Sequence, residues 1–387
     1  MSFPLITAIV AALALTLTAL LTPLVRGAAL GMGLVRQAQA DRWHRRPTPA
    51  IGGVAIFLGF GIALGVGWIL DPEAASALAY LPPQAILPWT PWEGLLAAGT
   101  LVFLVGLVDD LFRLNPVQKL AGQIAAAVLL VLSGVGVWLT GLYLLDAALS
   151  VLWFVAITNA LNLLDNMDGL ATGVAAIAGG YLSLLFLLEG EAGLLLLSLA
   201  FTAALVGFLV HNYPPARIFM GDSGSLFLGL FLAALSLSPA PGLSRSLFAV
   251  VAVPALVLAI PILDTTLVTL GRMLEGRPIS EGGKDHTSHR LVALGVSEER
   301  ALWVLWSLAL LGGAIALLLR TVERGTAYVL GGVLLTGLIL LGAYLLSVRL
   351  RALRRQEGPR LPLYEMFVSW NERVPVLPFV MDALLVA

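Results

Sequence analysis

The chain has 387 residues, no cysteine, and 22 basic against 23 acidic side chains, which gives a formal net charge of −1. Hydrophobic residues make up 59% of it and charged residues only 12%, whereas an ordinary soluble domain has about 25% charged residues. This composition excludes a soluble globular domain. The absence of cysteine excludes disulfides, thiolate catalysis and cysteine metal sites. The near-neutral charge predicts no nucleic-acid partner, because proteins that bind nucleic acids carry a basic field.

Apolar runs separated by polar, glycine-rich or proline-rich breaks predict about eleven transmembrane helices, since a spanning helix needs about 20 apolar residues. In chain order the helices are expected at about 3–25, 50–70, 93–111, 117–138, 140–160, 168–188, 192–211, 222–240, 245–267, 300–320 and 327–348. The fourth and fifth are the least clearly separated, because 136–144 is a weak break. The predicted fold class is an all-α, polytopic integral membrane protein.

The positions of lysine and arginine predict the orientation of these helices. With the N-terminus outside, eleven crossings leave the C-terminus in the cytoplasm. All of the 22 basic residues except Arg245, Arg320 and Arg324 then fall on the cytoplasmic side. An even number of helices would break this alternation. The polar patches where the helices meet water are therefore expected on the cytoplasmic face.

Two adjacent carboxylates, Asp109 and Asp110, end the third predicted helix. Successive helical residues point about 100° apart, so the two side chains cannot address one ligand equally. We expect one to face the bundle interior and the other to orient it or to meet water. The alternative is a helix end that simply reaches the aqueous interface, although acidic residues at a helix C-terminus oppose the macrodipole.

Three oxygen-bearing side chains, Asn162, Asp165 and Asp168, recur at every third residue around the junction of the fifth and sixth predicted helices. Neighbours at this spacing share a helix face, and closely placed carboxylates repel unless a cation lies between them. Such oxygen ligands suit a hard cation such as Mg²⁺, which often also binds substrate phosphates. The alternative is that Asp168 and Gly169 only form a turn and a helix cap.

Asp222 lies in the motif FMGDSGS, directly before the eighth predicted helix. The free N–H groups of a helix N-terminus attract phosphate, and Gly221 and Gly224 allow a close approach of the backbone. The motif therefore suits phosphate binding. The alternative is a capped helix with nothing bound.

Loop 268–299 carries basic and histidine side chains, among them His286, His289 and Arg290. Guanidinium groups match phosphate oxygens, so this loop suits a diphosphate. A solvated loop that obeys the positive-inside rule would also explain the charges, but it does not explain the histidines. Asp264, near the inner end of the ninth predicted helix, is either functional or only the partner of an arginine.

Arg45 and Arg46, in the stretch HRRPTPAIGG, have the same two interpretations as the arginines of that loop. The proline-containing turn after them is expected to lead rigidly into the second helix. Lys119, near the start of the fourth predicted helix, is either a phosphate contact or an anchor that extends its ammonium to the membrane surface.

Taken together, these motifs resemble those of the polyprenyl-phosphate N-acetylhexosamine-1-phosphate transferases, of the glycosyltransferase family 4 type. The matching stretches are HRRPTPAIGG, GLVDDLFRLNPVQKLAGQ, NALNLLDNMDGLATG, NYPPARIFMGDSGSLFLG, PILDT and GRPISEGGKDHTSHRL. They run in order across 44–291, about two-thirds of the chain, and the family's eleven-helix layout agrees with the predicted helices. The chain is thus expected to comprise a transmembrane catalytic domain, 1–348, and a basic and apolar cytoplasmic tail, 349–387.

The resemblance implies transfer of an N-acetylhexosamine-1-phosphate from a UDP-sugar to undecaprenyl phosphate, with release of UMP and with Mg²⁺, or Mn²⁺ in its place. It implies a multi-pass protein of the bacterial inner membrane whose active site faces the cytoplasm. By matched position, it implies that Asp109 and Asp110 are catalytic and that Asp222 and Asn162, assisted by Asp165, hold the metal. The substrate-binding residues that it implies are Arg45, Arg46, Lys119, Asp168, His286, His289 and Arg290.

The choice of sugar depends on the stretch DHTSHR. It differs from the histidine run of the phospho-MurNAc-pentapeptide transferases, and Ser288 stands where the GlcNAc-1-phosphate branch often has a histidine. The difference favours UDP-GlcNAc, for O-antigen or teichoic-acid synthesis, with the pentapeptide transferase as the alternative. A secondary transporter is the rival from another class, but its site should lie near the membrane midplane. Membrane lipids are expected partners. The sequence does not decide whether the protein forms a homodimer.

Overall fold

The computed structural model describes residues 3–36, 48–70, 84–238, 247–278, 283, 285–321 and 324–354, so Arg45, Arg46 and the tail beyond 354 lie outside the described residues. The helices are, in chain order, α1 (Phe3–Gly31), α2 (Gly53–Leu70), α3 (Pro91–Phe112), α4 (Pro116–Leu132), α5 (Tyr143–Leu164), α6 (Leu170–Glu189), α7 (Ala192–Asn212), α8 (Gly221–Leu237), α9 (Leu247–Val257), α10 (Ala259–Glu275), α11 (Thr287–Ala293), α12 (Glu298–Thr321) and α13 (Arg324–Arg354). Two short strands, β1 (Val35–Arg36) and β2 (Thr48–Pro49), pair antiparallel.

Within the described residues, eight helices are long and apolar enough to cross a membrane: α1, α2, α3, α5, α6, α7, α12 and α13. The bent pair α9–α10 adds a ninth if it counts as one span, and α4 and α8 are shorter apolar helices of 17 residues each. The predicted class, an all-α polytopic membrane protein, is confirmed. The number of eleven spans and their orientation stay predictions. The division expected after 348 falls within α13.

The ninth predicted helix, 245–267, is not a straight span. Helix α9 ends at Val257, α10 begins at Ala259, and the two axes differ by 81°. Pro261 lies in the first turn of α10 and has no N–H to donate to the carbonyl of Val257. The helical hydrogen-bond ladder is therefore interrupted at this point, which is the usual cause of a sharp kink.

The connection between α4 and α5 is a distinct loop. Helix α4 ends at Leu132, and Gly134 follows with a φ of 86°, a left-handed conformation that favours glycine. Asp146, in the first turn of α5, accepts hydrogen bonds from the backbone N–H groups of Leu139 and Thr140. The fourth helix is therefore shorter than predicted, and Asp146 holds the loop that replaces its end.

Helix α8 is the core of the bundle. Nearly all of its residues are buried, and it packs against α2, α3, α5, α6 and α9. Its side chains are small or apolar on every side, and a helix of that kind is buried. Phe227 and Phe231 of α8 meet Phe60 of α2 and Phe201 of α7 in a cluster of aromatic rings. The helices around α8 therefore determine where its first residues lie.

Glycines let the start of α8 approach two other helices closely. The N–H of Gly53, at the start of α2, donates to the carbonyl of Met220 (2.7 Å). A Cβ on Gly53 would collide with the backbone of Gly224, and a Cβ on Gly106 of α3 would collide with the backbone of Asp222. The position of Asp222 thus depends on the absence of side chains at these glycines.

We expect Gly53→Ala to lower the free energy of unfolding by about 1–3 kcal/mol, because the added methyl group overlaps the α8 backbone, which cannot move away. The matched control is Gly61→Ala in the same helix, since a Cβ at Gly61 meets nothing within 4 Å. Thermal unfolding of the purified protein in detergent measures both changes. Equal midpoints for the two variants would contradict the proposed contact between α2 and α8.

Candidate active site

Four helix ends meet at one place and bring together five of the predicted site residues. Helix α3 ends just after Asp109 and Asp110, and α4 begins just before Lys119. Helix α5 ends just after Asn162, and α8 begins with Asp222 in its first turn. Hydrogen bonds and ion pairs join these side chains into one cluster.

The Lys119 ammonium lies at the centre of the cluster. Its Nζ is 2.6 Å from Oδ2 of Asp222, 3.1 Å from Oδ1 of Asn162 and 3.3 Å from Oδ2 of Asp109. The side chains of Lys119, Asp109 and Asp222 are 18%, 13% and 19% exposed, so water reaches them only in part. An anchor would extend its ammonium to the membrane surface, whereas the Lys119 ammonium is bound by three side chains of the cluster. The geometry therefore does not fit the anchor. The contact of Lys119 with a phosphate stays a prediction.

Asn162 holds the other side of the Asp222 carboxylate. Its Nδ2 donates to Oδ1 of Asp222 (3.0 Å) and to Oγ of Ser225, one turn further along α8 (2.7 Å). Each oxygen of Asp222 therefore has a donor from a different helix, an amide from α5 and an ammonium from α4. Donors on both oxygens hold the carboxylate in one orientation.

Asp110 makes different contacts from Asp109, as the angle between successive helical residues predicts. Its Oδ1 accepts the backbone N–H of Asp222 (2.8 Å), and its Oδ2 accepts the N–H and the hydroxyl of Ser223 (2.9 and 2.8 Å). N–H groups in the first turn of a helix have no partner within that helix, and negative charge is favourable beside them. Asp110 thus caps α8 from α3, and its catalytic role stays a prediction.

The oxygen atoms of Asp109, Asn162 and Asp222 converge on one cationic group, the Lys119 ammonium. Carboxylate and amide oxygens are also the ligands that Mg²⁺ prefers, so these residues fit a hard cation. Within the described residues, no three carboxylates or imidazoles converge as they would in a fully protein-ligated metal site. Asp165 is the residue that follows the end of α5, and its part in holding the metal stays a prediction. The donors suit an ion that keeps water or phosphate oxygens among its ligands, as Mg²⁺ usually does.

Asp168 lies beside the loop that leads into α8. Its Oδ2 accepts the backbone N–H of Ala216 (2.8 Å). Nδ2 of Asn212, the last residue of α7, donates to the carbonyl of Ile218 in the same loop (3.0 Å). Asp168 therefore supports the segment that precedes Asp222, and the substrate-binding role expected for it stays a prediction.

A second polar cluster joins α10 to the histidine segment at the start of α11. His286 Nδ1 is 2.8 Å from Oδ2 of Asp264, and the backbone N–H of Thr287 donates to the other oxygen, Oδ1 (2.6 Å). Asp264 is only 1% exposed. The alternative that Asp264 pairs with an arginine is wrong, because its partners are a histidine and a backbone N–H.

Arg290 is buried within the packing of α10, α11 and α13, with 5% exposure. Its Nε donates to the carbonyl of Asp285 (2.7 Å) and its Nη1 to the carbonyl of Leu345 (3.3 Å). Arg272 of α10 binds the Asp285 carboxylate through Nε and Nη2 (2.8 and 3.1 Å). Arg290 thus supports the segment, and the diphosphate contact expected for it stays a prediction.

A hydrogen bond holds the histidine segment beside the junction of α5 and α6. Oγ of Ser288 donates to Oδ1 of Asn166 (2.6 Å), in the turn between α5 and α6 and one helical turn beyond Asn162. His289 is also buried, and its ring centre is 6.1 Å from that of His286. The histidine segment therefore lies against the junction of helices that supplies Asn162 to the first cluster.

Comparison with known proteins identifies the family. Residues 92–240 match the model of glycosyl transferase family 4. Over 313 residues, the chain is 34% identical to the probable undecaprenyl-phosphate N-acetylglucosaminyl 1-phosphate transferase of Bacillus subtilis, covering 78% of this chain and 82% of that protein. The chain belongs to glycosyl transferase family 4. The family resemblance found in the sequence motifs is thereby confirmed.

Other relatives within the family carry two different names. The chain is 33% identical over 360 residues to a decaprenyl-phosphate N-acetylglucosaminephosphotransferase of Mycobacterium tuberculosis, covering 85% of this chain and 87% of that protein. It is 30% identical over 309 residues to the phospho-N-acetylmuramoyl-pentapeptide-transferase of Lactiplantibacillus plantarum, covering 73% of this chain and 88% of that protein. The relatives named for N-acetylglucosamine are thus the more similar.

The two polar clusters also contain residues to which the sequence motifs assign no definite role. Asp264 and Arg272 lie on the stripe of α10 that is buried in the bundle. Charged residues at helical spacing on a buried stripe need interior partners, and this signal was present in the sequence. Asp285 stands beside His286 in a motif already singled out. Ser223 and Asn166 carried no comparable signal, because their partners lie far away in the chain.

We expect Asp110→Asn and Asp109→Asn to have unequal effects on stability. The amide at position 110 would replace an acceptor oxygen with a donor that faces N–H groups at the buried start of α8, which should cost about 1–3 kcal/mol. The partly exposed ion pair of Asp109 should contribute less than about 1 kcal/mol. Thermal unfolding of both variants in detergent tests this order. Equal losses would show that Asp110 is not the cap of α8.

Proposed function

We propose that the protein transfers N-acetylglucosamine-1-phosphate from UDP-GlcNAc to undecaprenyl phosphate and releases UMP. The observation that carries this proposal is the convergence of oxygen atoms from Asp109, Asn162 and Asp222 on one cation position at the ends of membrane helices. The relatives named as undecaprenyl- or decaprenyl-phosphate transferases of N-acetylglucosamine phosphate support the polyprenyl acceptor and the transferred sugar phosphate. The product is the first lipid-linked sugar of a cell-envelope glycan of the O-antigen or teichoic-acid kind.

The position of the cluster suits a reaction between a lipid and a water-soluble nucleotide. A polyprenyl phosphate keeps its chain in the bilayer and its headgroup at the surface, whereas a nucleotide sugar arrives from water. The reacting groups can therefore meet only at helix ends. The distribution of lysine and arginine supports a cytoplasmic orientation of these ends in the bacterial inner membrane.

We assign Mg²⁺, or Mn²⁺ in its place, to Asp222 and Asn162, with Asp165 or Asp109 as the further oxygen ligand. Bound there, the ion would supply positive charge that offsets the repulsion between the lipid phosphate and the diphosphate of the nucleotide. Asn162 and Lys119 each donate to one oxygen of Asp222 and so hold the carboxylate in a fixed orientation, which suits cation binding.

The transfer step needs little acid or base catalysis from the protein. An oxygen of the lipid phosphate attacks the β-phosphorus of UDP-GlcNAc, the new oxygen–phosphorus bond forms, and the bond from that phosphorus to the bridging oxygen breaks. UMP leaves with the bridging oxygen. Because the lipid phosphate is already anionic near neutral pH, we favour direct in-line attack. Positioning and charge compensation then supply most of the catalysis.

The protein's own side chains share this work between the two clusters. The Lys119 ammonium neutralises part of the negative charge of Asp109 and Asp222. We propose that it also contacts a phosphate that enters the cluster. His286 and His289 lie in the segment that contacts the junction of α5 and α6, and we assign them to the sugar diphosphate. Arg45, Arg46 and Asp168 are proposed as further substrate contacts. Arg290 supports the segment from within.

Two other functions remain for the experiment to exclude. Transfer of phospho-MurNAc-pentapeptide is the alternative within the family, and a relative of that name is 30% identical to the chain. A secondary transporter would place its substrate site near the midplane, formed by broken helices. The carboxylates of the first cluster instead lie at the ends of α3 and α8, which favours an enzyme.

We expect purified protein to release UMP from UDP-GlcNAc only when undecaprenyl phosphate and Mg²⁺ are both present. UDP-MurNAc-pentapeptide, offered in a parallel reaction, should give no lipid-dependent release. A coupled assay for UMP and chromatography of the lipid product measure the two outcomes. Turnover of the pentapeptide substrate alone would assign the other branch. Turnover of neither, together with uptake of a solute by reconstituted vesicles, would replace the enzyme with a transporter.

We expect Asp222→Asn to lower kcat by about 100-fold or more, because the variant loses the charge that holds a cation opposite the phosphates. Its unfolding midpoint should stay near that of the wild type, since an amide can keep part of the hydrogen bonding. Glu93→Gln is the matched control, because this acidic residue caps the far end of α3 and should keep full activity. Wild-type turnover by Asp222→Asn would exclude Asp222 from the metal site.

A further inference from the structure

We infer that Asp264 is a positioning residue that acts through His286, holding the imidazole in one orientation and one protonation pattern at the edge of the active site. The inference rests on the proposed function for what His286 contacts, the sugar diphosphate. The motif resemblance assigned substrate binding to His286 and no role to Asp264. The geometry of the buried pair supplies that role.

Both carboxylate oxygens of Asp264 hold His286 and its neighbour. Oδ2 is 2.8 Å from His286 Nδ1, and Oδ1 accepts the backbone N–H of Thr287 (2.6 Å). An ionised carboxylate can only accept hydrogen bonds, so Nδ1 carries the proton and donates it. Because one side chain binds the ring and the following backbone N–H, the imidazole is fixed relative to the chain that carries it.

The proton on Nδ1 decides what the other ring nitrogen can do. Among the described residues, the hydrogen bond of the His286 side chain is made by Nδ1, which leaves Nε2 for a ligand. Nε2 accepts a hydrogen bond when the ring is neutral and donates one when the ring is charged. Asp264 therefore fixes which ring nitrogen is available to the substrate.

The burial of Asp264 argues that its charge serves the histidine. A carboxylate that is 1% exposed is costly in an apolar bundle unless a partner compensates it. A neutral amide could satisfy the N–H of Thr287 equally well. The nearby charge of Arg272 is directed to Asp285, at 2.8 Å and 3.1 Å. The imidazole of His286 is therefore the group that makes an acidic side chain useful at this position.

The rest of the segment is anchored residue by residue, so the orientation set by Asp264 is transmitted to the site. Asp285 is bound to Arg272 of α10, the same helix that carries Asp264. Ser288 donates to Asn166 in the turn after α5 (2.6 Å). Anchors on both sides of His286 hold its backbone, and Asp264 orients the ring. In metal sites, a carboxylate that binds the second ring nitrogen of a histidine fixes the ring orientation in the same way.

A double-mutant cycle tests the inference. Asp264→Asn should lower kcat/KM for UDP-GlcNAc by about 10- to 100-fold, the effect typical of removing the carboxylate that orients a metal-ligating histidine. In the His286→Gln background, the same change should cost little further activity, because the group through which Asp264 acts is already gone. Asp264→Glu should recover part of the activity. Calorimetric titration of each variant with UDP-GlcNAc gives an independent measure of the same coupling.

The control separates positioning from folding. Asp146→Asn removes another buried carboxylate, which holds the loop between α4 and α5, and should lower the unfolding midpoint without changing kcat. Losses at Asp264 that are independent of His286 in the cycle would overturn the inference, as would full activity of Asp264→Asn. If the wild type neither turns over nor binds UDP-GlcNAc, the proposed function fails and the inference with it. Wild-type turnover with independent losses rejects the inference alone.

Discussion

The buried N-terminus of α8 is the constraint on which the rest of the site depends. A helix start leaves N–H groups without partners in its own helix, and the close packing of α2 and α3 shields this one from bulk water. Asp110 of α3 meets this need by accepting from the N–H groups of Asp222 and Ser223. The capped end then holds Asp222 where α3, α4 and α5 also end or begin. One structural requirement thereby assembles the candidate active site.

Two charges of the cluster, those of Asp109 and Lys119, are unfavourable within their own helices and favourable together. Asp109 lies at the C-terminal end of α3, and Lys119 lies in the first turns of α4, so each opposes the dipole of the helix that carries it. Their ion pair at 3.3 Å compensates both. Local stability is lost at each helix end for the sake of a shared polar centre. Such a pattern is expected at a site whose purpose is to bind charged groups.

The kink between α9 and α10 places a second set of polar residues beside the first. Helix α10 leaves the direction of α9 by 81° and packs against α5. Its buried stripe carries Asp264 and Arg272, which bind the segment around His286. Ser288 of the histidine segment in turn donates to Asn166, four residues after Asn162 of the first cluster. A broken helix thus connects the membrane core with the loop proposed to hold the sugar diphosphate.

The sequence by itself determined the membrane class, the family, and most of the residues that meet in the candidate site. Hydropathy and motif spacing are properties of neighbouring residues, so they can be read along the chain. The sequence also indicated that Asp109 and Asp110 differ in direction. Hydropathy alone predicted one straight helix where α9 and α10 form a kink, because apolar residues continue through Pro261, although this proline is the sequence signal for the kink. The roles of Asp165 and Asp168, and of the undescribed Arg45 and Arg46, stay predictions.

Only the tertiary structure decided which side chain each polar residue binds. Lys119 meets Asn162 and Asp222 across 43 and 103 residues of chain, and Asp110 reaches the start of α8 across 112. It also decided that Asp264 binds His286 and that Arg290 is buried. Such pairings depend on how whole helices pack, and packing is a property of shape and contact between distant segments. The sequence records the residues but not the distances between them.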